Sequence, residues 1–165
     1  MRTKLIILRG PSGAGKSTVA KALQAGATRK VALIDQDYYK EFMLKPKEDV
    51  RADVPKFILD NILLGLRLGY DVIIDGIFES HRYGNFFDPV FVKHPKENYM
   101  FYFDVSLDET LRRHQTRPQK EHFGEAEMRD WYSYSDRSKH AFEQVIPESS
   151  SLEETISTIR KATRL

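Results

Sequence analysis

The stretch Gly10-Pro11-Ser12-Gly13-Ala14-Gly15-Lys16-Ser17 constrains this chain more than any other. It satisfies G-x-x-x-x-G-K-[ST], the phosphate-binding loop known as Walker A. Its flanks supply the required context. Leu5-Ile6-Ile7-Leu8 is a short apolar run of strand type, and Ser17 to Gln24 places Val19, Ala20 and Leu23 on one helical face. Gly13 and Gly15 reach backbone angles closed to other residues and have no Cβ to block an approaching phosphate. Successive N–H groups then form an anion nest, and the N-terminus of the following helix adds partial positive charge. Lys16 is expected to reach the β- and γ-phosphates, and the Ser17 hydroxyl to ligate Mg²⁺. The candidate nucleotide-binding set is Gly10, Ser12, Gly13, Ala14, Gly15, Lys16, Ser17 and Thr18. The plainer reading is a glycine-rich turn before a helix; the strand–loop–helix frame argues against it.

Bulk properties narrow the rest. At 165 residues the chain fits one domain on a prior of about 150 residues each, so residues 1–165 are expected to form a single unit. A net charge of +2 gives no basic field that would argue for nucleic acid. The absence of cysteine excludes a disulfide framework and cysteine metal sites. The apolar run after Met1-Arg2-Thr3-Lys4 is too short for a signal segment or a membrane span. The expectation is a cytoplasmic protein with a small-molecule partner and no membrane contact. Nothing in the sequence sets an oligomeric state.

Strands and helices alternate along the chain. Further strands are expected at Lys30 to Asp35, Tyr70 to Gly76, Asn98 to Val105 and Phe142 to Ile146. A helix capped by Asp53, with Pro55 in its first turn, carries Phe57, Ile58, Ile62, Leu63 and Leu66 and stops near Gly69. Glu79 to His94 reads as a helix packed on the sheet despite Pro89. Ser106 opens a helix through about Thr116 with a capping box to Glu109; Glu125 to Trp131 is a short helix; Ser151 and Glu154 box the terminal one. This is an α/β chain: a three-layer fold of P-loop NTPase type, with a mainly parallel five-stranded sheet and a helical lid at about residues 112–130. Such folds bind ligands at the carboxyl ends of the strands, which brings together the loop at Gly10, the Asp35–Lys40 turn, Asp75 and the turn after Asp104.

Phosphoryl transfer needs positioning, charge neutralisation and a group to take a proton from the attacking hydroxyl. Asp37, just past the second strand, is placed to be that base; the plainer reading is that it caps the next helix. Asp35 competes, as a strand-closing residue or a ligand to a substrate hydroxyl. Lys40 is a candidate for an anionic substrate group. Asp75 ends the third strand, where a carboxylate supports Mg²⁺, and Gly76 after it permits close backbone approach. Arg82 is a candidate acceptor contact, whereas His81 and His122 read as surface residues. Arg113 and Arg117 are spaced i,i+4 in the basic run Arg112–Lys120, so both fall on one helix face. Two guanidinium groups there suit a triphosphate in transfer, and one can stack on adenine. A solvated face paired with Asp108 and Glu109 is the alternative. Pro118 to Gly124 would form a lid that excludes water.

With these residues in view, the chain resembles the small P-loop kinases, within them the kinase domain of phage polynucleotide kinase and the zeta-toxin-like group. The Walker A loop, Ile34-Asp35-Gln36-Asp37-Tyr38-Tyr39-Lys40, and Phe103-Asp104-Val105 followed by Leu111–Arg117 carry the likeness in order. It implies Asp37 as general base and Arg113 and Arg117 as lid arginines, with ATP and Mg²⁺ as cofactors. Lys40 stands where that kinase has a substrate-contacting arginine. Phe123 to Tyr132 is similar to bacterial kinase-like proteins of this group, and Tyr38-Tyr39-Lys40 to uridine kinases with the aspartate shifted by one.

Three readings follow. The first is an ATP-dependent phosphotransferase acting on a hydroxyl of a small molecule: a nucleoside, a sugar derivative or an antibiotic. The second, from the resemblance, is a polynucleotide 5′-hydroxyl kinase, which the near-neutral charge disfavours. The third is a nucleotide-binding regulatory protein without an acceptor, which leaves the lid arginines unexplained.

Overall fold

A computed structural model describes residues 2–44, 53–116, 118–134 and 136–165. Its centre follows from β1 (Leu5–Arg9), in which all five residues are buried. A parallel strand covered on both faces reads as a continuous apolar run rather than an alternating one. The other strands are β2 (Val31–Asp35), β3 (Asp71–Gly76), β4 (Asn98–Asp104) and β5 (Glu143–Pro147). They form one sheet in the order β2-β3-β1-β4-β5. A mainly parallel sheet is what the alternation predicts; every pairing is parallel.

Helices cover both faces. On one, α1 (Lys16–Ala25) and α8 (Leu152–Thr163) bring Val19, Leu23 and Ile159 against Ile6, Leu8 and Phe101. On the other, α3 (Asp53–Arg67) lays Val54, Ile58, Ile62 and Leu66 over Leu5, Ile7, Val72 and Ile74. Spacings of three and four residues make that stripe. Phe57, expected on it, is 43% exposed, and Val54 takes the place one turn earlier.

Three local expectations change. Glu79 to His94 is two short helices, α4 (Ser80–Tyr83) and α5 (Asp88–Lys93), with Pro89 in the first turn of the second. Proline is favoured at that position and disfavoured inside a longer helix. The helix after Ser106, α6 (Leu107–His114), ends at His114 rather than Thr116. Its cap is half of the expected box. Ser106 Oγ accepts from Glu109 N at 3.3 Å, but Ser106 N donates to Glu148 at 2.7 Å, and the Glu109 carboxylate turns to Arg112 and Arg113 instead. The box expected at Ser151 and Glu154 is complete. Between β2 and α3 the chain forms a short helix, α2 (Gln36–Tyr38), continued by a π-helical turn over Tyr39–Met43. α7 (Glu125–Asp130) follows a 3₁₀ turn at Pro118–Glu121.

Candidate nucleotide site

The glycine loop lies between β1 and α1, at the carboxyl edge of the central strand. Gly13 and Gly15 have φ of 84° and 95°, in the left-handed region that favours glycine. Gly15 caps α1 with no side-chain hydrogen bond, and Lys16, Ser17 and Thr18 of the first turn line the cleft. Lys16 is buried and its Nζ donates to the carbonyls of Gly10 at 2.9 Å and Pro11 at 2.8 Å.

Sheet register assembles the carboxylates. Asp35 lies opposite Asp75 across β2 and β3, and Asp75 lies opposite Leu8 across β3 and β1, two residues before Gly10. Ser17 Oγ donates to Asp75 Oδ2 at 2.5 Å, while the other oxygen, Oδ1, is buried without a hydrogen-bond partner. Burial pushes the Asp75 carboxyl up to about 6; the Ser17 hydroxyl and Lys16 oppose this, and the charges of Asp35 and Asp37 add to it. An acid held in this way is poised to gain from a cation.

The two candidate bases differ in surroundings. Asp35 closes β2 and caps α2: its Oδ1 accepts from Asp37 N at 2.8 Å and Tyr38 N at 3.3 Å. The cap that is the plainer reading of Asp37 is therefore made by Asp35. Asp37 is exposed and faces the same cleft as Lys16, Ser17 and Asp75. Between them Gln36 is buried, and its Oε1 accepts from Ile77 N at 3.0 Å. Gly76 does permit close approach, but by protein: a Cβ there would stand 2.5 Å from Gln36 Oε1 and 2.5 Å from the Phe78 ring.

The cleft has a volume of about 250 Å³ and is walled by Ser12, Gly13, Gly15, Lys16, Ser17, Thr18, the three aspartates, Gly76, Ile77, Arg113 and Thr116. Arg113 forms its roof. Its Nε donates to Glu109 at 2.6 Å and its Nη1 to the Ala14 carbonyl at 3.2 Å. A second hollow of about 310 Å³ adjoins across Gly15, Thr18 and Arg113, with Val19, Phe103, Val105, Ile146 and Pro147 as its apolar wall. Arg117, expected to share a helix face with Arg113, lies outside the described residues. Lys40, in the π-helical turn, does not line the cleft. Nor does Arg82, whose exposed side chain pairs with Glu79 at 3.4 Å over a separate hollow with His81 and Asn85. His81 and His122 are exposed as expected.

Sequence reasoning missed Gln36 and, above all, Arg9, and had Glu109 only as a capping partner and in the alternative of a paired, solvated face. Arg9 is 2% exposed and engages Asp136 and Glu143, the latter at 2.9 Å. A charge ending an apolar run was the available signal, since a buried charge must be paired. The partners lie 127 and 134 residues away and carry no local pattern.

Among the described residues, no group of three or more His, Asp or Glu side chains is arranged to hold a metal ion. Mg²⁺ in phosphate sites keeps several waters and takes one or two carboxylates plus the phosphates. The Ser17 hydroxyl and the unpartnered Asp75 oxygen fit that demand as oxygen donors.

A doubly wound parallel sheet with a glycine loop at the end of its central strand defines the class as a P-loop NTPase fold. A family model for an AAA domain matches residues 5–140, and the chain belongs to that family. No curated protein matches it. Among solved structures, it is similar to Mycobacterium tuberculosis APS kinase in complex with AMPPNP and APS, with a TM-score of 0.78 at 17% identity over 99% of both chains. It is also similar to a Deinococcus radiodurans tunicamycin resistance protein, with a TM-score of 0.72 at 15% identity over 99% of this chain and 97% of that one. A gluconokinase from Sinorhizobium meliloti gives 0.70 at 16% identity, over 99% and 96%. The small P-loop kinase fold is thus the architecture of this chain. No described helix is long and apolar enough to cross a membrane.

Proposed function

We propose that the protein is an ATP-dependent phosphotransferase that moves the γ-phosphate of ATP to a hydroxyl of a small molecule. One observation carries this reading: an exposed carboxylate, Asp37, shares a cleft with the phosphate loop, the Ser17–Asp75 pair and a roofing arginine. In this proposal the loop amides and Lys16 hold the phosphates, and Lys16 exchanges its two carbonyl partners for phosphate oxygens. Adenine occupies the apolar hollow beyond Gly15. Ser17 and Asp75 hold the Mg²⁺ side of the nucleotide; when bound, the ion neutralises charge on the β- and γ-oxygens. Asp37 accepts the proton of the acceptor hydroxyl as that oxygen bonds to the γ-phosphorus and the bond to the ADP oxygen breaks. Arg113, steered by Glu109, stabilises the charge in transfer, and Arg117 joins it from the lid. The structural neighbours include an APS kinase and a gluconokinase, which favours an acceptor of that size.

The experiment is an acceptor panel of nucleosides, sugar derivatives and aminoglycosides with ADP release as readout. Product with at least one acceptor is expected. Asp37→Asn is expected to lower turnover by about 10² to 10⁴ with little change in ATP affinity. Tight ATP binding with no product across the panel would overturn the phosphotransferase reading. An Asp37→Asn variant as active as the parent would remove Asp37 as base.

A further inference from the structure

One residue, Ile77, joins the two halves of the cleft. The Ile77 carbonyl accepts from Gly10 N, the first residue of the phosphate loop, at 3.4 Å. The Ile77 N–H donates at 3.0 Å to Gln36, which sits between Asp35 and Asp37. The position of Ile77 therefore sets the spacing between the loop and α2. The residue after it, Phe78, has φ 46°, a conformation that side-chain-bearing residues adopt only when their surroundings enforce it. Two sets of contacts enforce it here. Its ring is buried against Tyr83, Phe86 and Phe87, with centroids at 5.1 to 5.7 Å. Its carbonyl is gripped by Arg9, from Nε at 3.1 Å and Nη2 at 2.9 Å.

Arg9 is itself fixed. It bonds Ser80 Oγ at 3.0 Å, the Asp136 carbonyl at 2.7 Å and the carboxylates of Asp136 and Glu143. Asp136 also accepts from Ser80 N at 2.9 Å, on the same turn. A planar guanidinium with its donors filled on three sides is a rigid part, unlike an ammonium on a flexible stem. Gly76 admits Gln36 to within contact of this turn because it has no Cβ. The contacts run without a gap from Arg9 through Phe78 and Ile77 to Gln36 and Asp37.

We infer that Arg9 is a positioning residue: by holding Phe78 in its left-handed turn it fixes Ile77, and through Gln36 it sets where the Asp37 carboxylate stands relative to the phosphate loop. This rests on the reading of Asp37 as base. If Arg9 served folding stability alone, its loss would lower the melting temperature and leave the local environment of Asp37 untouched in any variant that folds.

Two variants decide it. Arg9→Lys keeps a charge for Asp136 and Glu143 but not the fork on the Phe78 carbonyl. Gln36→Met keeps the volume but not the acceptor for Ile77 N. Both are compared with the parent and with Asp37→Asn in three readouts: amide resonances and hydrogen exchange at Ile77 and Asp37, ATP dissociation constant, and ADP release from MgATP with water as acceptor. The expected result is Ile77 exchange faster by about tenfold, displaced Asp37 resonances, and ATP affinity within about twofold, because the glycine loop is intact. ADP release falls by about tenfold to a hundredfold at unchanged KM for ATP, as misplacement of a reacting group requires. Unmoved Ile77 and Asp37 amides in a folded variant overturn the inference. If the amides move while Asp37→Asn releases ADP at the parent's rate, the coupling stands and the base assignment falls. Should Arg9→Lys not fold, Ser80→Ala, which removes one anchor of the guanidinium, takes its place beside Gln36→Met, with the same two outcomes.

Discussion

Asp75 concentrates the electrostatics of the site. Its carboxyl is raised from 3.8 to about 6, chiefly by burial, so the folded protein binds a proton there that the unfolded chain releases. Between those two values the folded state binds more protons, and stability falls as pH rises. Above about 6 the whole cost is present, on the order of 1 to 3 kcal/mol. Asp75→Asn is therefore expected to melt above the parent at pH 7 without ligand, with the gap narrowing as pH is lowered towards 5. Magnesium nucleotide is expected to reverse the order, because the carboxylate then has a cation to face; calorimetry at two pH values, with and without MgATP, checks both. Gly76→Ala acts on the neighbouring contact. Its Cβ would meet Gln36 and Phe78 at 2.5 Å, and overpacking of that kind costs about 1 to 3 kcal/mol. A melting curve of this variant unchanged from the parent would mean that the turn yields at no cost. Asp35 and Asp75 stood out because each stands where an apolar run stops, and Asp37 and Gly76 because they lie just beyond. Gln36 did not: an amide at the same turn carries no signal until Ile77 is seen to donate to it.

Among the elements, α6 has the most specific local design. Ser106 caps it, and Glu148 from beyond β5 accepts from both the Ser106 amide and its hydroxyl. Ser106→Ala removes the cap and is expected to cost about 1 kcal/mol, measurable by denaturant midpoint at unchanged slope. Glu109 bonds Arg112 and Arg113 on the same helix, and those two arginines hold its carboxyl down to about 2. At the helix surface such pairs add little to stability, but this one aims Arg113 at the loop carbonyl of Ala14. Glu109→Gln is accordingly expected to leave the melting temperature within about 2 °C and to weaken ATP binding severalfold in a titration. The element's start was readable from Ser106. Its end was legible only to within two residues, because Gln115 keeps a helical backbone and a bond to Leu111 while Thr116 already turns to the Arg113 carbonyl. The split of residues 79–94 has a visible cause in Pro89, masked in the sequence by the helical spacing of the aromatics around it.

At the scale of the whole molecule, alternation of apolar runs and helical stripes was enough to foresee a parallel, doubly covered sheet, and the placement of ligands at its carboxyl edge followed from that topology. What alternation cannot carry is the closure of that edge. Arg9 ends the central strand, Glu143 begins the edge strand β5, and Asp136 lies in the segment between α7 and β5. These charges meet only after the sheet has formed. Glu143 further accepts from Arg137 Nε at 3.1 Å and Ser138 N at 2.8 Å, so one cluster ties the segment after α7 to the strand that bears the phosphate loop. Such a cluster is satisfied only as a whole. Arg9→Ala would leave Asp136 with no ion pair among the described residues, and Glu143 with Arg137 alone, beside Tyr102, whose ring lies 5.1 Å from the guanidinium. Removing one partner of a buried ionic group typically costs about 3 to 5 kcal/mol, because the remaining charge is left uncompensated. In a domain of this size that corresponds to a fall in melting temperature of roughly 10 °C or more. Arg9→Met with Asp136→Asn and Glu143→Gln together removes the charges in step, and should recover much of that loss. Calorimetry on the single and triple variants decides the matter: equal losses in both would show that the cluster stabilises through its shape and hydrogen bonds rather than through balanced charge.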